Sequence, residues 1–112
     1  MMQDTRTLRT QIREEFTEKL VSCFLEIFVM AGFRDATFSG YDALKLVDER
    51  FGILLSPGRI YYTVRSMEKK KLLESSYKRG KKVYRVTKVG KLTLEVVLSD
   101  EMRSFMVNIT KP

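Results

Sequence analysis

The stretch SPGRIYYTVRSMEKKKLL, residues 56–73, decides the fold, because it reads as one helix with two dissimilar faces. Ser56 supplies a hydroxyl to cap the first free N–H groups, and Pro57 lacks an N–H where none is needed. At about 100° per residue, Ile60, Val64 and Met67 gather in a narrow sector flanked by Tyr61 and Leu72, which marks the buried side. Opposite them lie Arg59, Tyr62, Thr63, Ser66, Lys69 and Lys70. A face kept only for solvent would be salted with acids, yet the one acid here, Glu68, points to the core-flanking side. Arginine can fork onto guanine, hydroxyls and tyrosine reach phosphate or base edges, and lysines neutralise phosphate.

Downstream of Leu73 the period changes from helical to two. Ser75, Tyr77, Tyr84 and Val86 alternate with Ser76, Lys78, Val83 and Arg85 on either side of Lys78-Arg79-Gly80-Lys81-Lys82. Glycine between two alternating runs predicts a tight hairpin with a cationic loop over 78–82. Thr87 caps a last helix, from 88 to about 108, whose Leu92, Val96, Leu98, Met102, Phe105, Met106 and Ile109 make a broad apolar surface.

Upstream, Ser39 caps a helix over 40–51 with Tyr41, Leu44, Val47 and Phe51 on one face, and Gly52 ends it. Residues 53–55 form a short apolar connection. A first helix from about 7 to 30 repeats Leu8, Ile12, Phe16 and Leu20 every four residues, then becomes apolar on nearly all sides through Val21, Phe24, Leu25, Ile27, Phe28 and Val29. The outer helices carry more apolar side chains than one hairpin and two short helices can cover. A homodimer follows, with Phe24, Phe28, Leu98, Met102, Phe105, Met106 and Ile109 as candidate seam.

Length allows one modest core, so 1–112 reads as a single domain: 7–31 a dimerisation and core helix, 39–91 a helix-turn-helix with wing, 88–109 a second dimerisation helix. The net charge of +7 is unevenly placed. Residues 56–91 hold twelve Lys and Arg against Glu68 and Glu74, whereas the flanks hold nine basic and twelve acidic residues. Segregation of that kind attracts a polyanion. With no histidine and one cysteine, neither a zinc cluster nor a disulfide framework can be built from one chain. Cys23, in an apolar run, reads as a buried thiol. MMQDTRTLRT has no apolar signal core, and the run 20–33 is interrupted and shorter than the roughly 20 residues a bilayer requires. No membrane association and a cytoplasmic location are expected. No histidine, phosphate-cradling glycine loop or acid cluster in the basic third argues for an enzyme, and no cofactor or metal is expected.

The predicted class is mainly α, an α+β winged helix-turn-helix in the order helix-helix-helix-strand-strand-helix, with long terminal helices at a dimer interface. Helix 56–71 would enter the major groove of double-stranded DNA and the wing 78–82 would follow the backbone. The candidate DNA ligands are Ser56, Arg59, Tyr62, Thr63, Ser66, Lys69, Lys70, Lys78, Arg79, Lys81 and Lys82. Tyr61 reads as a core-edge ring whose hydroxyl finds a partner, and Tyr41 and Tyr84 read as packing residues first. A winged-helix protein–protein interaction module and a non-specific, chromatin-type DNA-binding protein stay open, since fold does not fix function.

Gly40-Tyr41-Asp42, Phe51-Gly52, Ser56-Pro57-Gly58-Arg59-Ile60-Tyr61, Met67-Glu68, Leu72-Leu73-Glu74 and Tyr84-Arg85-Val86-Thr87-Lys88-Val89-Gly90 occur in order over about 38–92. In these the chain resembles the PadR-like family of winged-helix transcriptional regulators, in its small form without an extended C-terminal domain. The resemblance implies sequence-specific DNA binding as a homodimer, commonly as a repressor, with terminal helices in the dimer contact. Some relatives also answer to a small-molecule effector near that interface. The chain departs from the family pattern at Ser39, where histidine is frequent, at Arg59, which replaces threonine, and at Tyr62, which replaces proline.

Overall fold

The computed structural model describes residues 4–112, so the first three residues of the MMQDTRTLRT segment lie outside it. In chain order the elements are α1 Thr5–Cys23, α2 Leu25–Gly32, α3 Gly40–Phe51, α4 Pro57–Lys69, β1 Leu73–Lys78, β2 Lys81–Val86, α5 Lys88–Val97 and α6 Asp100–Ile109. The winged helix-turn-helix is present, with two more helices than the sequence reading counted.

Local chemistry places the central elements. Ser39 and Asp42 form a capping box on α3: Ser39 Oγ accepts from the Asp42 N–H at 3.1 Å, and Asp42 Oδ2 accepts from the Ser39 N–H at 2.8 Å. Gly52 ends α3 in the left-handed conformation. Ser56 caps α4 by accepting from the Arg59 N–H at 3.3 Å, with Pro57 in the first turn. α4 ends in a Schellman pattern, the Leu72 N–H donating to the Met67 carbonyl and the Lys71 N–H to that of Glu68, which puts Lys71 at φ 67°.

β1 and β2 pair antiparallel from Leu73↔Val86 to Lys78↔Lys81. The five-residue loop read from the sequence is only two residues long: Arg79 and Gly80 at φ 52° and 77°, the double positive-φ geometry of a type I′ turn. Phe38 exchanges backbone hydrogen bonds with Tyr84, a one-residue third strand. No alternating run announced it.

The core runs beneath these elements: Val29 and Met30 of α2, Ala43 and Val47 of α3, Ile60, Val64 and Met67 of α4, Leu73 of β1 and Leu94 of α5. Gly90 lets α5 approach the hairpin base, since a Cβ there would lie 2.4 Å from the Leu72 carbonyl oxygen. Thr87 caps α5 by accepting from the Gly90 N–H at 3.0 Å.

The outer helices differ from expectation. The first helix is two helices, broken at Phe24. No proline or glycine marks the break; α2 must turn Leu25, Val29 and Met30 into the core, while the α1 stripe faces away from it. The last helix is also two, and Ser99 caps the second by accepting from the Met102 N–H. Ser99-Asp100-Glu101, a cap residue followed by acids at the positive helix end, was a readable signal. Cys23 is exposed rather than buried, because it sits on the outer side of the last α1 turn, where Val21 is the helix's one buried residue. Among the described residues no helix is long and apolar enough to cross a membrane, and no group of three or more His, Cys, Asp or Glu could hold a metal ion.

Candidate nucleic-acid interface

α4 buries Ile60, Val64 and Met67 completely, which fixes what its other sides present. Tyr62 is 70% exposed and lines a shallow groove with Arg65, Ser66 and Lys69. Arg65 also borders a second groove with Tyr41, Tyr61, Lys81 and Lys82, so it joins the helix surface to the wing. Arg65 was not among the sequence candidates. On the wheel it falls between Tyr61 and Lys69, nearer the point opposite the core than Arg59, Thr63 or Lys70, so the spacing alone was a signal that could have found it.

The remaining candidates separate by side. Ser56 is exposed, its hydroxyl occupied by the cap. Arg59 is exposed beside α1, bordering a groove with Glu15, Glu18 and Lys19. Thr63 and Ser66 are half-buried. Lys70 turns toward α2 and pairs with Glu26 at 2.8 Å. Lys78, Arg79 and Lys81 are exposed on the wing.

Lys82 is different. Its Nζ lies 3.2 Å from Glu68 Oε1 and 5.3 Å from the centre of the Tyr84 ring. The Ser75 hydroxyl donates to Glu68 Oε2. That hydrogen bond, opposed by partial burial and aided by Lys82, holds the Glu68 carboxyl below the usual carboxylate range. Glu68 in turn raises Lys82 above the usual lysine range. Arg85 pairs across the strands with Glu74, and Lys91 pairs with Asp35. Of the twelve cations in 56–91, eight therefore make no ion pair among the described residues: Arg59, Arg65, Lys69, Lys71, Lys78, Arg79, Lys81 and Lys88.

Two tyrosines depart from their reading. Tyr41 is 62% exposed rather than packed, because Ala43 and Val47 take the inward positions of α3. The Tyr61 ring lies over Gly40 at the core edge, as read, but it is 42% exposed and its hydroxyl has no protein partner among the described residues. Tyr84 is buried as expected and packs near Phe38.

The candidate seam is also divided. Phe28 packs on the Phe51 ring at 4.6 Å and so belongs to this chain's own core edge, and Phe24 is half-buried at the bend. Leu98, Phe105, Met106 and Ile109 are exposed, and Met102 is half-buried. α6 buries no residue at all. The apolar stripe on α1, Leu8, Ile12, Phe16 and Leu20, is exposed along its length, Phe16 by 58%. Its four-residue spacing and the excess of apolar side chains on the outer helices were legible; that these four residues, and not Phe24 and Phe28, are the uncovered ones was not.

This fold, an uncovered cationic helix beside a cationic wing, is that of a winged helix-turn-helix protein. A family model described as the transcriptional regulator PadR-like family matches residues 30–96. The chain belongs to that family of transcriptional regulators. Among solved structures it is similar to a PadR family transcription regulator from Clostridium difficile, with 26% identity, TM-score 0.66, and coverage of 77% of this chain and 93% of that one. A PadR-like transcriptional regulator from Bacillus cereus is 24% identical, with TM-score 0.68 and coverage of 84% and 99%. Bacillus subtilis PadR, solved in complex with operator DNA, is 18% identical, with TM-score 0.56 and coverage of 79% and 60%. A comparison with curated proteins returns no match.

Proposed function

We propose that the protein is a sequence-specific double-stranded DNA-binding regulator that acts as a homodimer, with α4 in the major groove and the wing tip along the phosphate backbone. One observation carries this reading: Tyr62, Arg65, Ser66 and Lys69 on α4 continue through Arg65 to Lys81 on the wing as one surface on which Arg65, Lys69 and Lys81 make no ion pair among the described residues, with Asp42 and the Glu68-paired Lys82 at its border. Such a surface is costly in self-repulsion and is suited to a polyanion. The DNA complex of a structural relative adds support at the level of the fold. Residues 39–91 read the DNA, and the apolar faces of α1 and α6 make the seam. Repression is the role that the family resemblance implies, and the cytoplasm is the location expected from the sequence.

Selection of bound fragments from random duplex, followed by a salt titration, tests the reading. Selected sequences should be preferred, and affinity for random duplex should fall at least tenfold between roughly 50 and 200 mM salt if several phosphates are neutralised. Salt-tolerant or absent duplex binding would instead indicate a protein-interaction module, and enrichment of no sequence a non-specific DNA-binding protein. Tyr62→Ala and Arg65→Ala should reduce discrimination by about 1–3 kcal/mol, whereas Lys81→Ala weakens binding to all duplexes alike.

A further inference from the structure

The two faces of the hairpin are set by register. Ser75 pairs with Tyr84 and Tyr77 with Lys82, so these four side chains share the face that begins with the buried pair Leu73 and Val86. Lys78 and Lys81, also paired, lie on the opposite face with Glu74 and Arg85. Lys81 and Lys82 are adjacent in sequence and leave the strand on opposite faces, although both border the groove beside Arg65. Toward the tip of the inner face the apolar packing runs out, Tyr77 being exposed. Just before that point the Glu68 carboxylate takes one strand through Ser75 and the other through Lys82.

We propose that Glu68 and Lys82 form a pin that sets the angle of the wing against α4, and that both are positioning residues rather than phosphate ligands; this rests on the DNA-binding reading above. Hydrophobic contact and the paired Phe38–Tyr84 backbone hydrogen bonds hold the hairpin up to Tyr84, and the side-chain hydrogen bonds from α4 to the two strands among the described residues are those of Glu68. One carboxylate bonded to both strands opposes motion of either strand away from the helix. The pin also withholds one cation from the backbone, which lowers affinity for any duplex in exchange for a fixed spacing between helix and wing contacts.

The test compares Lys81→Ala, Lys82→Ala, Glu68→Gln and the charge-reversed pair E68K/K82E in the full chain, on random duplex and on a duplex selected by the wild-type protein. Lys81→Ala should flatten the logarithmic salt slope on random duplex by about 0.9, the loss of one phosphate contact. Lys82→Ala should leave that slope unchanged and lower the selected-to-random affinity ratio by about tenfold, the size of one base-pair mismatch. Glu68→Gln should lower the same ratio while steepening the slope by about 0.9, because Lys82 becomes available. The reversed pair should recover the ratio.

A measurement without DNA keeps the pin and the DNA-binding reading separable. Residual dipolar couplings of the β1–β2 amides relative to α4 should change in Glu68→Gln and return in the reversed pair. Unchanged couplings, or a Lys82→Ala slope as flat as that of Lys81→Ala, would overturn the pin. Changed couplings in a protein without duplex affinity would uphold the pin and remove the DNA-binding reading alone.

Discussion

Arg79→Asn should make the protein more stable and a weaker DNA ligand at once. Arg79 occupies the first central position of the hairpin turn at φ 52°, and Gly80 follows at φ 77°. A left-handed conformation costs an ordinary side chain about 1–2 kcal/mol, and asparagine, which tolerates it, recovers part of that, about 0.5–1 kcal/mol. With an unfolding entropy of about 2.1 cal/mol/K per residue over 112 residues, the gain is a rise in Tm of about 2–4 °C. The lost guanidinium removes one phosphate partner, so the salt slope on random duplex should flatten by about 0.9. Over a fourfold change in salt, the variant should lose about 3.5-fold less affinity than the wild type. Calorimetry and a fluorescence salt titration read the two effects. A wild-type slope would show that the wing tip never meets the backbone, and a fall in Tm would show that the turn geometry is not the source of strain.

Four further outcomes follow from other parts of the molecule. Lys71→Gly, at the φ 67° position after α4, should stabilise by about 0.5–1 kcal/mol in denaturant unfolding, the relief of left-handed strain less the added entropy of glycine. Gly90→Ala should destabilise by about 1–3 kcal/mol in the same assay, since the new methyl meets the backbone carbonyl of Leu72, which has no flexible end to move. Phe105→Asp, at a site 59% exposed on α6, should give monomers in sedimentation with an unchanged circular dichroism spectrum; a retained dimer would place the seam elsewhere. Glu68 is lowered in the folded chain by Ser75 and Lys82, with Lys71 nearby, so its contribution is present above the unfolded pKa of about 4.3 and is lost as pH falls through the folded value. Protection of the β2 amides from hydrogen exchange should therefore drop on the acid side of that value in the wild type and not in Glu68→Gln.

The elements whose ends are written in local chemistry were legible from sequence: α3 between Ser39 and Gly52, α4 from Ser56-Pro57, the hairpin around Gly80 and α5 after Thr87. A cap, a proline or a positive φ acts within four residues, so neighbouring letters suffice. The charge segregation of 56–91 was likewise a property of the letters. What tertiary structure decided was direction. The bend at Phe24 leaves no local mark, because it arises from where α2 must bury Leu25, Val29 and Met30. Arg65 joins helix to wing only once the hairpin has been folded back beside α4. Lys81 and Lys82 look alike as letters, and strand parity makes Lys82 a partner of Glu68 while Lys81 makes no ion pair among the described residues. Sequence sets which side chains are present and how each segment curls; which of them meet depends on long-range packing, whose free energy belongs to no single segment.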